Sequence, residues 1–312
     1  MRRPRIAVLG IFAADVTSRV ARLPRWHETL IGEGASLGPG GKGSNQAVAA
    51  ARLGAEVTLI AKIGADSFGE LARGLYAREG IDTAHLAVDP EAPTGVALIL
   101  VDAASGKNAI VVNPGAALLL GDAEIEAAQP AIAAADVFLT QLELPVARVA
   151  RGIALAREAG VPVIFNPAPA APFDRALLAA VDVATPNEVE AAALLGFGIA
   201  GMEDARRAAR ALRDLGARAA VVTLGEKGSF LASAEEEAHV PARPVPHAID
   251  TTGAGDAFNG ALAVALAERR PLREAVRFAT VAASLSVERP GAAFSMPSRA
   301  EVDAVLARER SR

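Results

Sequence analysis

The chain has 312 residues, 52% of them hydrophobic, with 32 basic and 36 acidic side chains for a net charge of −4. That suffices for one large domain or two modest ones, and the scattered lysines and arginines argue against a nucleic-acid or membrane-surface binder. No cysteine is present, which excludes disulfides, a thiol nucleophile and thiolate metal sites, and fits a reducing cytoplasm.

Arg2, Arg3 and Arg5 precede an apolar run over residues 6–14, a pattern that mimics a short secretion signal. Gly10 breaks the run and Asp15 ends it, so a first buried strand over residues 6–10 is the better reading. No run approaches the roughly 20 apolar residues of a membrane span. Residues 30–37 and 95–112 read as strands without intervening helices. In the second, strands 96–101 and 109–112 flank a polar hairpin turn at 102–108. Such strands predict a small second sheet, inserted within residues 12–40 and 92–112, that projects as a lid over a substrate.

From Val137 onward short apolar runs alternate with amphipathic ones. Strands are predicted at 137–140, 161–165, 181–184 and 219–223, each followed by a helical pattern. The clearest helix covers 204–215, with Ala205, Ala208, Ala209, Leu212 and Leu215 on one face, Asp204 as cap and Gly216 as stop. Repeated strand–helix units predict an α/β fold, a mainly parallel sheet covered on both faces that binds ligands beyond the carboxyl ends of its strands. No linker, charge block or repeat divides the chain, so residues 1–312 are expected to form a single domain.

The most informative segment is Asp250-Thr251-Thr252-Gly253-Ala254-Gly255-Asp256, which opens an apolar helical run through Glu268. Its glycines let successive N–H groups turn toward one point, and the helix N-terminus adds about half a positive charge there. An anion cradle beside the Asp256 carboxylate suits phosphoryl transfer to a hydroxyl. The same residues also make an ordinary glycine-rich loop with Asp256 as N-cap, and the segment alone does not choose.

Gly38-Pro39-Gly40-Gly41-Lys42-Gly43-Ser44-Asn45-Gln46 is the second constellation. It contains G-x-G-x-x-G but does not follow the first strand, as a dinucleotide-binding oxidoreductase requires, and Lys42 precedes Gly where a Walker loop needs Ser or Thr. A proline–glycine turn remains, with Lys42 and Asn45 at a helix start, able to bind a polyhydroxylated ligand or to serve as a plain capped loop. Gly34-Ala35-Ser36-Leu37-Gly38 lacks the helix a nucleophile elbow needs, and the four histidines form no zinc motif. Asn187 and Glu190 open a helix after the 181–184 strand, as caps or beside a magnesium-bound phosphate. Thr223-Leu224-Gly225-Glu226-Lys227-Gly228 leaves the next strand with room for a nucleotide or as a hairpin to 229–232, and Glu143 stands at a strand edge.

Together these segments resemble the ribokinase family of sugar kinases, which also includes the minor phosphofructokinase. The resemblance runs nearly end to end and includes Asn166-Pro167-Ala168-Pro169 and Thr185-Pro186-Asn187-Glu188. It implies a three-layer α/β/α sandwich with a β-sheet lid, ATP-dependent phosphorylation of a primary sugar hydroxyl, D-ribose first, and a homodimer through the lid. Asp256 would be the general base, with Gly253, Ala254 and Gly255 as the anion hole. Asp15, Gly41, Lys42, Asn45 and Glu143 would hold the sugar. Asn187, Thr223, Leu224, Gly225, Glu226, Lys227, Gly228, Gly255 and Thr280 would line the ATP site. Asp250, Thr252, Ser286, Arg289, Gly291 and Ser295 match positions for an activating potassium ion, mostly through backbone carbonyls. Glu190 would meet ATP-borne magnesium through water. The family usually has Asn where this chain has Ala13, which opens the choice to 2-deoxyribose, another pentose, a hexose or a nucleoside. A sugar-binding regulator without catalysis is the non-enzymatic alternative, and the intact Asp256 and glycine hole argue against it.

Overall fold

Successive residues of a strand face opposite sides of a sheet. In β1 (Arg5–Leu9) that alternation sends Ile6 and Val8 into one apolar cluster and Ala7 and Leu9 into another, all four buried. The computed structural model describes residues 2–104 and 107–310, the last of these by its backbone alone. The chain continues through β2 (Ala13–Val20), β3 (Gly34–Gly40), α1 (Lys42–Arg52), β4 (Glu56–Gly64), α2 (Ser67–Glu79), β5 (Asp82–Asp89), β6 (Thr94–Asp102) and β7 (Asn108–Gly115). Short α3 (Asp122–Ala127) and α4 (Gln129–Ala134) lead to β8 (Val137–Gln141), α5 (Val146–Glu158), β9 (Val163–Asn166), β10 (Val183–Ala184), α6 (Glu188–Leu195) and α7 (Met202–Asp214). Then come β11 (Ala219–Thr223), β12 (Ser229–Ala232), β13 (Glu237–Val240), α8 (Ala254–Ala267), α9 (Leu272–Ser286) and α10 (Arg299–Arg310).

The main sheet has the order β13-β12-β11-β10-β9-β8-β1-β4-β5, parallel from β11 to β5 and antiparallel at β11–β12 and β12–β13. Helices α1, α2, α8, α9 and α10 pack on one face and α3, α4, α5, α6 and α7 on the other, which makes the expected three layers. Burial of each large side chain such as Phe138 or Leu59 contributes about 1.5–3 kcal/mol. Gly43 and Gly10 meet backbone to backbone. A Cβ on either would sit 2.7 Å from the other's Cα, so the start of α1 is pressed against the end of β1.

Four strands in the order β3-β2-β6-β7 form the lid, and several of their apolar side chains are exposed, Val111 to 67%. The strand expected at 30–37 lies at Gly34–Gly40, so the proline–glycine turn is itself paired backbone, with Pro39 opposite Ala14. Proline is tolerated because β3 is an edge strand and its missing N–H costs no ladder bond. Strand β2 went unread, β7 extends to Gly115, and Ser105 and Gly106 of the expected hairpin turn lie outside the described residues.

The first third also holds an unforeseen strand–helix–strand unit, β4-α2-β5, in the main sheet. Strands expected at 161–165 and 181–184 start later. The Val161 N–H closes the turn after α5 on Ala156 O, and the Val181 N–H bonds Leu178 O at the end of a 3₁₀ turn. Helix α7 starts at Met202 behind Gly201, and Asp204 reaches back to the Ala200 N–H at 3.1 Å without being the cap residue.

Candidate active site

Helices α1 and α8 begin at the carboxyl end of the main sheet, and neither has a side-chain cap. Gly253 precedes α8 with φ 78°, a left-handed turn that suits glycine. The Ala254 N–H bonds Thr251 O at 3.2 Å, and the N–H groups of Gly255 and Asp256 meet no acceptor among the described residues. That open first turn favours an anion. Asp256 is therefore not the N-cap. It sits inside the first turn, 5% exposed, and its two carboxylate oxygens accept from Asn45 Nδ2 at 2.9 Å and Gln46 Nε2 at 3.0 Å.

Helix α1 starts behind Gly41, whose φ is 86°. Its first N–H, that of Lys42, donates to Glu143 Oε2 at 2.7 Å, an acid 101 residues away acting where a cap would. Burial works against the charge on Lys42, but Asp256, Glu143 and Glu190 outweigh it and hold the ammonium above its ordinary value. Burial, with Asp256 nearby, pushes Asp15 up to about 6. Burial raises Glu143 to about 7, Asp256 and Asp15 adding to the effect and Lys42 opposing it, and burial likewise raises Glu190. Asp15 reaches this acid cluster from the lid: its carboxylate fills the space that a side chain on Gly40 would take.

A cavity of about 200 Å³ opens between the two helix starts, lined by Lys42, Asn166, Thr185, Asn187, Glu190, Thr223, Gly253, Gly255, Asp256 and Asn259 among others. A larger one, about 430 Å³, lies beside Arg3, Arg5 and Glu56 at the opposite end of the strands and contains none of the predicted site residues.

The predicted nucleotide residues are brought together only in part. Asn187 and Thr223 line the cavity and are joined by a parallel backbone bridge. Asn187 and Glu190 form a reciprocal capping box, each side chain accepting from the other's N–H at 2.9 Å, so the capping role is real. Leu224, Gly225, Glu226, Lys227 and Gly228 turn the hairpin into β12 outside the cavity lining, and the Thr280 hydroxyl donates to Val276 O within α9.

Of the cation set, Asp250 accepts from the Thr252 and Gly291 N–H groups, each at 2.9 Å, and so ties the loop before α8 to the loop after α9. The Ser286 and Ser295 hydroxyls donate to backbone carbonyls. Arg289 pairs with Glu301, so only its backbone is available to a cation. The available donors are all oxygens, the chemistry of a hard cation. Among the described residues no cluster of three or more His, Cys, Asp or Glu is placed to hold a metal.

Sequence reading missed the buried amides behind Asp256. Gln46, Gln141, Asn166 and Asn259 are all at most 6% exposed. Gln46 Nε2 also donates to Asn166 Oδ1, Gln141 donates to Gln46 Oε1, and Thr185 Oγ1 donates to Asn259 Oδ1. Their signal was polar residues at the ends of apolar strands and inside an apolar helix, where solvent cannot satisfy them.

A mainly parallel sheet with a lid, a carboxylate beside an open helix N-terminus and an adjoining lysine define an ATP-dependent sugar kinase. Residues 3–299 match the model of the pfkB family carbohydrate kinases, and the chain belongs to that family. It is 41% identical over 299 residues to a ribokinase of Haemophilus influenzae, covering 96% of this chain and 97% of that one. A deoxyribokinase of Salmonella typhimurium is 35% identical over 294 residues, covering 94% of this chain and 95% of its own. The Arabidopsis thaliana ribokinase complexed with ribose and ATP superposes with a TM-score of 0.89 at 31% identity, covering 98% of this chain and 99% of that one. No helix among the described residues is long and apolar enough to cross a membrane.

Proposed function

We propose that this protein transfers the γ-phosphoryl group of ATP to the primary hydroxyl of a pentose, D-ribose first, giving D-ribose 5-phosphate and ADP. The observation that carries the reading is the Asp256 carboxylate, held by two amides next to the uncapped first turn of α8 in a cavity shared with Lys42 and Asn187. Asp256 takes the hydroxyl proton as the sugar oxygen bonds to the γ-phosphorus and the bond to the β-phosphate oxygen breaks. The open first turn behind Gly253, with its Gly255 and Asp256 N–H groups unpaired among the described residues, receives the charge on the migrating group. Asp15, Gly41, Lys42, Asn45 and Glu143 hold the sugar. Asn187, Thr223 and the 224–228 turn receive the nucleotide.

Magnesium arriving with ATP would add positive charge at the phosphates, with Glu190 reaching it through water. Carbonyls of the 250–252 and 286–295 loops, with Asp250, Ser286 and Ser295, would hold an activating potassium ion. Residues 1–312 would act as one kinase domain in the cytoplasm, where ATP is plentiful. Exposed lid side chains Leu98, Val111 and Val112 support a homodimer through the lid, and a sedimenting monomer at micromolar concentration would contradict it.

Ala13 lies on the same side of β2 as Asp15, two residues away, and offers no hydrogen bond to a sugar hydroxyl. That supports relaxed discrimination between ribose and 2-deoxyribose. The test is ADP release over pentoses, deoxypentoses, hexoses and nucleosides, with and without potassium, for wild type and Ala13→Asn. Ribose turnover by the wild type is expected, with a severalfold gain in ribose preference for Ala13→Asn, on the scale of one hydrogen bond at about 0.5–1.5 kcal/mol. No turnover of any sugar rejects the kinase reading, and an unchanged ratio rejects the role of Ala13.

A further inference from the structure

Gln46 is fully buried in the first turns of α1, yet it touches no solvent-facing part of the cavity. Both of its amide hydrogens are used, one on Asp256 Oδ1 at 3.0 Å and one on Asn166 Oδ1 at 3.2 Å. The orientation of that amide is fixed twice over. Gln141 Nε2 donates to Gln46 Oε1 at 2.6 Å, which obliges the nitrogen end to face Asp256. Asn166 Nδ2 donates to the Thr185 carbonyl at 2.9 Å, which obliges the Asn166 oxygen to face Gln46. The ladder is thus anchored on the Thr185 carbonyl and on strand ends β8 and β9, and among the described residues Gln141 Oε1 is buried and unpaired at its far end.

We propose that Gln46, held in direction by Gln141 and Asn166, is a positioning residue for Asp256: it fixes the carboxylate rotamer and leaves one lone pair of each oxygen for the sugar hydroxyl. Physical necessity supports the assignment. Asp256 is buried among Asp15, Glu143 and Glu190, with Lys42 the cation that faces them. A buried carboxylate in that company needs fixed donors to stay aimed. Asn45 supplies one donor, but its other amide atom, Oδ1, is buried without a partner. Asn45 thus keeps one unpaired amide atom, whereas all three polar positions of the Gln46 amide are paired within the protein. Close packing adds a constraint: a side chain on Gly260 of α8 would meet the Gln46 backbone oxygen at 2.6 Å, so α8 and α1 hold a fixed separation at this point.

The proposal rests on Asp256 as the base, and Asp256→Asn separates the two claims. In Gln46→Met, which keeps size and removes the donors, kcat is expected to fall about tenfold to a hundredfold, the usual scale for a misplaced catalytic group. Calorimetric affinities for ribose and for a non-hydrolysable ATP analogue should stay within a factor of two. Adding Gln46→Met to Asp256→Asn should cost nothing further, because the lost function passes through the same carboxylate. A kcat within twofold of wild type overturns the assignment, as does a loss that appears equally in ribose affinity or that persists in the double variant. Near-normal turnover in Asp256→Asn overturns the base itself. Should Gln46→Met fail to fold by circular dichroism, Gln141→Met carries the test: a smaller loss of kcat at unchanged affinities supports the ladder, and an unchanged kcat overturns it.

Discussion

The cavity floor and the lid meet at Asp256 but are built on opposite plans. On the floor, α1, α8 and the ends of β8 and β9 bury their polar groups and cross-link them: Asn45, Gln46, Gln141, Asn166, Thr185 and Asn259 all bond one another, Asp256 or the main chain. The lid instead leaves apolar side chains such as Leu37, Leu98 and Val111 exposed and sends Asp15 into the site from β2. Rigid, cross-linked groups suit chemistry, where sub-ångström placement counts, and a thin sheet suits closing over a substrate and recognising it. Changes to the floor groups that aim Asp256 should therefore appear in kcat, and changes on the lid in sugar KM.

Asp256→Asn is the hardest test of that division. It should retain the fold and both affinities and lower kcat by about 10²–10⁴, the range for a general base. A lost sugar affinity with intact kcat would reverse the division. Gly40→Ala probes the lid. The new methyl takes the place of the Asp15 carboxylate, which must swing away, so sugar KM should rise about tenfold to a hundredfold for a lost hydrogen bond to a charged group while ATP KM and melting temperature stay put. A change in ATP KM would show that floor and lid are not separable.

The smallest effect is with pH. Burial raises Asp15 to about 6 and Glu143 to about 7, so the folded protein keeps protons that the unfolded chain releases near about pH 4. Stability of the unliganded protein should therefore fall as pH rises from about 4 through about 7. Sugar hydroxyls donate to ionised carboxylates, so sugar KM should drop by up to about tenfold from about pH 6 to about pH 8. Glu143→Gln should flatten that slope, and a KM that rises over the same window would refute these acids as sugar ligands.

The two helix starts that bound the floor were legible in the sequence because their residues stand in contiguous runs at element ends, while the buried amides between them were not. Gly253 to Asp256, and Gly41 to Gln46, are spacings that only a loop-to-helix junction explains. The late strands were legible because β8, β9 and β11 are unbroken apolar runs. The lid was read less well. Strand β3 is glycine-rich with an internal proline, so its local signal is that of a turn, and pairing with β2 across the 21–33 loop overrides it. The pairing of β2 with β6 joins residues some eighty positions apart and has no local sign at all. Likewise, Gln46 stood in view inside a motif, but its role depends on Gln141 and Asn166, whose approach only the fold reveals.

A crystal of the protein with a non-hydrolysable ATP analogue and ribose measures the central claim directly. The account predicts the terminal phosphate at the first turn of α8 and the primary hydroxyl within about 2.6–3.2 Å of an Asp256 oxygen. A terminal phosphate lodged elsewhere, or a sugar hydroxyl held away from that carboxylate by another base, would contradict it.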